Sequence, residues 1–216
     1  MFGRIAREHT MHITIAGSGN VGRALAGGWL KTGHRVTFAT RDVAGDKAGE
    51  LREQGFGVVP LNDAATDTDV IVLAVPWAAV EATIRSLGDF AGKVLIDTTD
   101  PLKSGRELAI GFSDSGAETV ARLAPSARVV KAFSTTGSRN MADSNYPGGK
   151  LMMALAGDDT PAKQIVMALV ADLGFDPIDT GPLAMSRYLE PLAMLWINLA
   201  YTQQLGPNIG FALLRR

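Results

Sequence analysis

Ile13 to Asp42 reads ITIAGSGNVGRALAGGWLKTGHRVTFATRD. An apolar run ends in Gly17-Ser18-Gly19-Asn20-Val21-Gly22. A helix-like segment follows from Val21 to Lys31, and a second apolar run stops at Thr40-Arg41-Asp42. Strand, glycine turn, helix and strand in that order make one βαβ unit. A G-x-G-x-x-G at its first turn is the arrangement that receives a dinucleotide pyrophosphate. Gly17 permits the tight turn, Gly19 lets the backbone approach the phosphates, and Gly22 lets the helix pack on the strand. The helix beginning near Asn20 points unpaired N–H groups and the positive end of its dipole at the same place. The whole loop, Gly17, Ser18, Gly19, Asn20, Val21 and Gly22, is therefore expected to bind the cofactor.

The end of the second strand selects the dinucleotide. An NAD site places Asp or Glu there, roughly 20 residues after the first glycine, to bond the ribose hydroxyls. Here Val36-Thr37-Phe38-Ala39 is followed by Thr40 and Arg41, with Lys47 a turn later. A hydroxyl and a guanidinium bind a 2′-phosphate that a carboxylate would repel. The expected cofactor is NADP(H), held at its phosphate end by Thr40, Arg41 and Lys47. Asp42 argues the other way if its carboxylate turns toward the ribose.

Outward from this unit the alternation continues. Further apolar runs cover 57–60, 70–75, 93–97, 128–132 and 150–156, rich in Val, Ile and Leu, as strands buried on both faces are. Helix-like segments cover 45–54, 78–87, 116–123 and 161–173. Asp158-Asp159-Thr160 precedes Pro161, and Gly174 follows the last of these segments. The fold class is α/β: a doubly wound Rossmann fold, its sheet mostly parallel, with a small C-terminal helical extension. Residues 11–137 are expected to form the NADP-binding Rossmann domain. Residues 138–216 are expected to form a smaller part packed on it, completing the cleft and the dimer. Leu183 to Leu205 reads as one long apolar helix with Leu192, Leu195, Trp196 and Leu199 on one face, a face for core packing or, on the sharper reading, for a homodimer interface.

Ligands of such a sheet lie beyond the carboxyl ends of the strands. Ala74, Val75 and Pro76 are expected along the cofactor. Trp77, Phe133, Ser134 and Thr135 are expected to wall a cleft for the second substrate. The bland alternative for Trp77 is a packing residue at a helix start.

The 216 residues carry a formal net charge of −1, 46% hydrophobic and 20% charged residues, and no cysteine. That balance offers no electrostatic case for nucleic acid or an anionic membrane. The lack of thiols excludes disulfides, thiolate nucleophiles and cysteine-held metal, and fits a cytoplasmic protein. No apolar run reaches the roughly 18 residues of a membrane span. Residues 1–10, MFGRIAREHT, lack the apolar stretch of a secretory signal and read as a disordered leader. The histidines, His9, His12 and His34, all lie near the N-terminus, away from the strand ends that face a ligand. No metal site is expected. No histidine is placed as an acid or base, and no catalytic residue is assigned. Lys131 lies near a strand end, where lysine more often snorkels to the surface.

From Met11 to about Leu214 the sequence resembles the NADP oxidoreductases that depend on coenzyme F-420, an 8-hydroxy-5-deazaflavin. The resemblance rests on IAGSGNVGRALA at Ile15 to Ala26, the ATR turn at Ala39 to Arg41, AVPW at Ala74 to Trp77 and KAFSTTG at Lys131 to Gly137. It rests above all on DTGPLAMSRYLEPLAMLWINLA at Asp179 to Ala200, where D-x-G-P-L precedes Arg187 and Leu189-Glu190. The NADPH domains of the eukaryotic metalloreductases are similar and, more distantly, so are the pyrroline-carboxylate reductases. The resemblance implies a homodimer that moves hydride between NADP(H) and coenzyme F-420, or FMN or FAD, in an apolar cleft. The archaeal members carry a histidine just before the segment matching Thr135-Thr136. Here that stretch reads Ala132-Phe133-Ser134, closer to the metalloreductases, which handle ordinary flavin. Two other functions fit a dinucleotide fold: reduction of a small imine or ketone, with Tyr188 or Lys131 as acid, and a non-catalytic NADPH sensor.

Overall fold

The protein is described by a computed structural model that covers residues 10–103 and 107–216. The leader expected over residues 1–10 lies, except for Thr10, outside them.

The strands are β1 (His12–Ala16), β2 (Arg35–Thr40), β3 (Gly57–Pro60), β4 (Val70–Leu73), β5 (Val94–Asp97), β6 (Arg128–Lys131), β7 (Met152–Gly157) and β8 (Asp176–Asp179). They form a single sheet in the order β3-β2-β1-β4-β5-β6-β7-β8. The first six run parallel in the doubly wound Rossmann order, which reverses between β1 and β4. β7 turns antiparallel to β6, and β8 pairs parallel with β7.

The apolar strands are covered on both sides, and their period of two divides the core. Ile13, Ile15, Val70 and Val72 face α1 (Asn20–Lys31) and α6 (Thr160–Asp172), where Trp29, Leu169 and Val170 pack. Ile71, Leu73 and Leu95 face α3 (Val80–Leu87) and α4 (Gly116–Leu123), against Ile84 and Val120. α2 (Asp46–Glu53) follows β2, and α5 (Ser138–Ala142) packs on α1.

Two short elements, α5 and β8, carry too little pattern to be expected from sequence. β8 is Asp-Pro-Ile-Asp, and its Pro177 belongs on an edge strand, where the missing N–H costs no ladder bond. Residues 138–216 thus add two strands to the Rossmann sheet itself.

The long helix expected from Leu183 to Leu205 is three pieces. A 3₁₀ turn at Leu183–Met185 leads into α7 (Ser186–Ile197), and a π-helical turn follows at Asn198–Thr202. Its inward face is also rotated from the expected one. Ser186, Leu189, Glu190, Ala193 and Trp196 are buried, whereas Leu195 is 48% exposed. The rotation follows from what α7 packs against. It meets the first turn of α4, whose open amides require a carboxylate, so the stripe that carries Glu190 turns inward. The indole of Trp196 sits over Gly137, where a Cβ would lie 2.3 Å from the ring, and its N–H donates to the Ile209 carbonyl at 2.8 Å.

Candidate active site

A cavity of about 690 Å³ lies beyond the carboxyl ends of β1, β2 and β4, lined by Gly17, Ser18, Thr40, Arg41, Lys47, Val75 and Pro76 among others. The three loop glycines are needed for three different reasons. Gly17 has φ +120°, and a Cβ there would stand 2.1 Å from the Ala74 carbonyl oxygen, so loop and β4 end meet through backbone. A Cβ at Gly22 would stand 2.0 Å from the Gly17 carbonyl oxygen, so the third glycine closes the helix onto the loop itself. A Cβ at Gly19 meets nothing within 4 Å. The space opposite Gly19 belongs to a cavity rather than to the protein. α1 begins immediately after Gly19 with no side-chain cap, so its first amides have no side-chain acceptor. Arg23 fixes the turn from behind by donating to the Ser18 carbonyl at 3.0 Å.

At the far end of this cavity Arg41 and Lys47 stand beside Asp42 and Asp46. Arg41 and Lys47 form no ion pair among the described residues. Asp42, which could have opposed a 2′-phosphate, is folded into its own loop. Its Oδ1 accepts from the amides of Ala44 at 3.0 Å and Gly45 at 2.9 Å. Gly45 permits that approach, since a Cβ there would lie 2.4 Å from Asp42 Oδ2.

A second cavity, about 430 Å³, adjoins the first and shares Val75 and Pro76 with it. Gly19, Asn20, Val21, Trp77, Thr98, Thr99 and Asp100 also line it. Trp77 thus stands where a second substrate was expected. Phe133, Ser134 and Thr135 do not, and this corrects the expected cleft wall. All three are buried and line neither cavity. Phe133, two residues beyond the end of β6, takes φ +60°, and its ring packs on the α1 side of the sheet. There it meets the Trp29 ring edge-to-face with centroids 5.6 Å apart. Thr135 is spent against Met153, its hydroxyl 3.8 Å from the sulfur.

Lys131 gives the second correction. Instead of snorkelling to the surface it is fully buried, and it is the direct register partner of Asp97 across β5 and β6. Its Nζ lies 3.2 Å from Asp97 Oδ2, 3.4 Å from Glu190 Oε1 and 3.7 Å from Asp100 Oδ1, and donates to the Thr99 carbonyl. Burial works against the lysine charge, but the three carboxylates outweigh it and hold its pKa above the ordinary lysine range. Asp97 Oδ1 also accepts from the amide and hydroxyl of Thr99, at 2.9 and 2.7 Å. Three carboxylates against one ammonium leave an excess of negative charge inside the protein. Burial pushes the Asp100 carboxyl up to about 7, and Glu190 and Asp97 add to the rise while Lys131 opposes it. Burial raises Glu190 as well.

Glu190 bridges this cluster to the start of α4. Its two oxygens accept from the amides of Gly116 at 2.9 Å and Ala117 at 3.0 Å, a carboxylate set at the positive end of a helix. Ser115 caps α4 by accepting from the Glu118 amide, its hydroxyl donates to the Glu118 carboxylate, and that carboxylate takes Arg187 in a two-point bond at 2.9 and 2.6 Å. Arg187 and Glu190, singled out in the sequence as narrow marks of a family, therefore lock α7 to α4 behind the second cavity. Asp97, Asp100 and Glu190 were missed as a group. The available signal was that Asp97 and Lys131 end adjacent parallel strands, where opposite charges between buried strands must pair.

Residues 12–101 match the family described as NADP oxidoreductase, coenzyme F-420-dependent. The crystal structure of a candidate F-420-dependent NADP reductase from Arthrobacter sp. FB24 superposes with a TM-score of 0.86 at 31% identity, covering 95% of this chain and 100% of that one. The chain belongs to the F-420-dependent NADP oxidoreductase family. The F-420-dependent NADP reductase of Methanothermobacter thermautotrophicus is 29% identical over 205 residues, which cover 86% of this chain and 87% of the relative. Metalloreductase STEAP3 of Rattus norvegicus is 30% identical over 186 residues, covering 85% of this chain. The match takes in only 37% of that metalloreductase's length. No helix among the described residues is long and apolar enough to cross a membrane. No group of three or more metal-ligating side chains able to hold an ion is found among them.

Proposed function

We propose that the protein transfers hydride between NADP(H) and a deazaflavin, coenzyme F-420, or a flavin. The observation that carries this reading is the pair of adjoining cavities meeting at Val75 and Pro76. The two cavities together offer what a 2′-phosphorylated dinucleotide needs: Gly17, Ser18, Thr40, Arg41 and Lys47 line the first, beside Asp42, which is bonded into its own loop, and Asp46, and Gly19 with the uncapped start of α1 lines the adjoining wall of the second. In this reading Gly17, Ser18, Gly19, Asn20, Val21 and Gly22 hold the pyrophosphate. Ala74, Val75 and Pro76 run along the cofactor toward its nicotinamide, the source of the hydride. The second cavity, flanked by Trp77, receives the ring of the acceptor. Positioning two rings face to face supplies most of such a reaction.

The small-carbonyl reading loses both of its expected acids as drawn from sequence. Lys131 is enclosed by its carboxylates, and Tyr188 is 63% exposed and lines neither cavity. A second copy of the chain is proposed to cover Leu195, Tyr188 and Leu205 on the outer face of the C-terminal part. A cytoplasmic setting accompanies this reading.

The test is NADPH oxidation followed by absorbance with F-420, FMN, FAD or no acceptor. Turnover with the deazaflavin or a flavin supports the reading and names the acceptor. Tight NADPH binding with no turnover on any of them overturns it in favour of a sensor.

A further inference from the structure

We infer that Asp100 is the proton donor to the acceptor, delivering a proton from its carboxyl into the second cavity as hydride arrives from the cofactor. This rests on the hydride-transfer reading above and adds to it a residue and a step.

The geometry singles out Asp100 among the four charged groups of the cluster. Asp97 is fully buried and its Oδ1 is taken up by Thr99. Glu190 is fully buried and spends both oxygens on the amides of α4. Lys131 is fully buried among the carboxylates. Asp100 alone of the four lines the second cavity, with its side chain 14% exposed. Its Oδ1 is buried and has no hydrogen-bond partner, lying 3.7 Å from Lys131 Nζ. A buried carboxylate left without donors is costly, whereas a protonated carboxyl there is not.

The charge count agrees. Among the described residues, Asp97 and Asp100 from the end of β5 and Glu190 from α7 stand around Lys131, while Glu118 of α4 is paired with Arg187 and Asp114 with Arg122. One ammonium cannot offset three carboxylates, so the cluster retains a proton. The carboxyl raised to about 7 is the one at the cavity. At neutral pH Asp100 can both give and regain that proton.

The step balances. As hydride and its electron pair reach the acceptor, the O–H bond of Asp100 breaks and its proton passes to the acceptor heteroatom that gains the charge. The Asp100 carboxylate that remains faces Lys131, and solvent entering the open cavity returns the proton. In the opposite direction Asp100 must begin ionised and take a proton. Acceptor reduction should therefore fall as pH rises through about 7, and NADP⁺ reduction should rise over the same range.

The test uses the whole chain and the acceptor that the NADPH oxidation assay identifies. Asp100→Asn is expected to lower kcat for acceptor reduction about 100-fold and flatten both pH limbs, with the Kd for NADPH changed less than about twofold. Glu190→Gln removes a negative neighbour and is expected to move the limbs to lower pH, a shift that a purely structural role would not give. Infrared titration of the free protein should show a protonated-carboxyl band that disappears near neutrality and is missing in Asp100→Asn. That readout needs neither cofactor nor turnover. Wild-type kcat and pH limbs in Asp100→Asn, or no such band in the wild type, overturn the proposal alone. A wild type that shows the band but reduces no acceptor brings down the hydride-transfer reading, and this role with it. If Asp100→Asn does not fold, the Glu190→Gln shift decides, and unmoved limbs overturn the proposal.

Discussion

Two sets of cations frame the cleft, and the protein treats them in opposite ways. Arg41 and Lys47 stand at the open end of the first cavity with no acidic partner, and the nearby Asp42 is turned into its own loop. Lys131 stands behind the second cavity with three carboxylates around it and no exposure to water. An exposed cation loses little by waiting for a ligand, because water solvates it. A buried cation must have its counter-charges built into the chain. The first set is suited to bind, and the second to hold structure and a proton in place.

The largest effect expected from this contrast is at the buried end. Lys131→Met removes the cation that pairs with Asp97, Asp100 and Glu190 and should cost about 3–5 kcal/mol of stability in urea denaturation, the usual result of leaving buried charge unpaired. A loss below about 1 kcal/mol would mean the carboxylates share protons well enough without the lysine. At the open end the scaffold and the ligand space can be separated with glycines. Gly19→Val should leave the melting temperature near wild type, since its Cβ meets nothing within 4 Å. It should also weaken NADPH and NADH together by at least about 100-fold in calorimetric titration, because its side chain enters the phosphate space. Retained affinity would put the pyrophosphate elsewhere.

Arg41→Ala tests the open cation itself. It should weaken NADPH by roughly 1.5–3 kcal/mol, the scale of a hydrogen bond to a charged group, and leave NADH nearly unchanged. Equal losses would show that Arg41 does not read the 2′-phosphate. The smallest effect should come from Arg187, which is partly exposed and paired with Glu118 at the edge of the buried cluster. Arg187→Ala should cost no more than about 1 kcal/mol of stability, measured by thermal melting, with Glu190 still holding the start of α4. A much larger loss would make the Arg187–Glu118 pair part of the buried set rather than its rim.

Much of the fold was legible because its signals are local. β1, α1 and β2 follow from an apolar run, three glycines and a second apolar run, and the Rossmann order follows from repeated βαβ units. What escaped was short or depended on packing. β8 is four residues with a proline, and α5 is five residues with no apolar stripe. The inward face of α7 could not be read from hydrophobicity, because the helix is apolar on several sides and its orientation is set by Glu190 reaching the amides of α4.

The candidate site divides along the same line. Gly17, Ser18, Thr40, Arg41 and Lys47 are a few residues apart in sequence or follow adjacent strands, so spacing alone brings them to one cavity. Phe133 was misplaced because its ring packs on the α1 side of the sheet, against Trp29. Asp100 and Glu190 are separated by most of the second half of the chain and meet only through α7 crossing α4. The sequence by itself determined the dinucleotide fold, its glycine turn and the cations that follow β2, because these arise from backbone geometry and nearest neighbours. Only the tertiary structure decided that Lys131 is buried, that three distant carboxylates surround it, and that Asp100 alone of these faces the cavity. Burial and long-range pairing depend on how helices cross the sheet, and no periodicity along the chain encodes that.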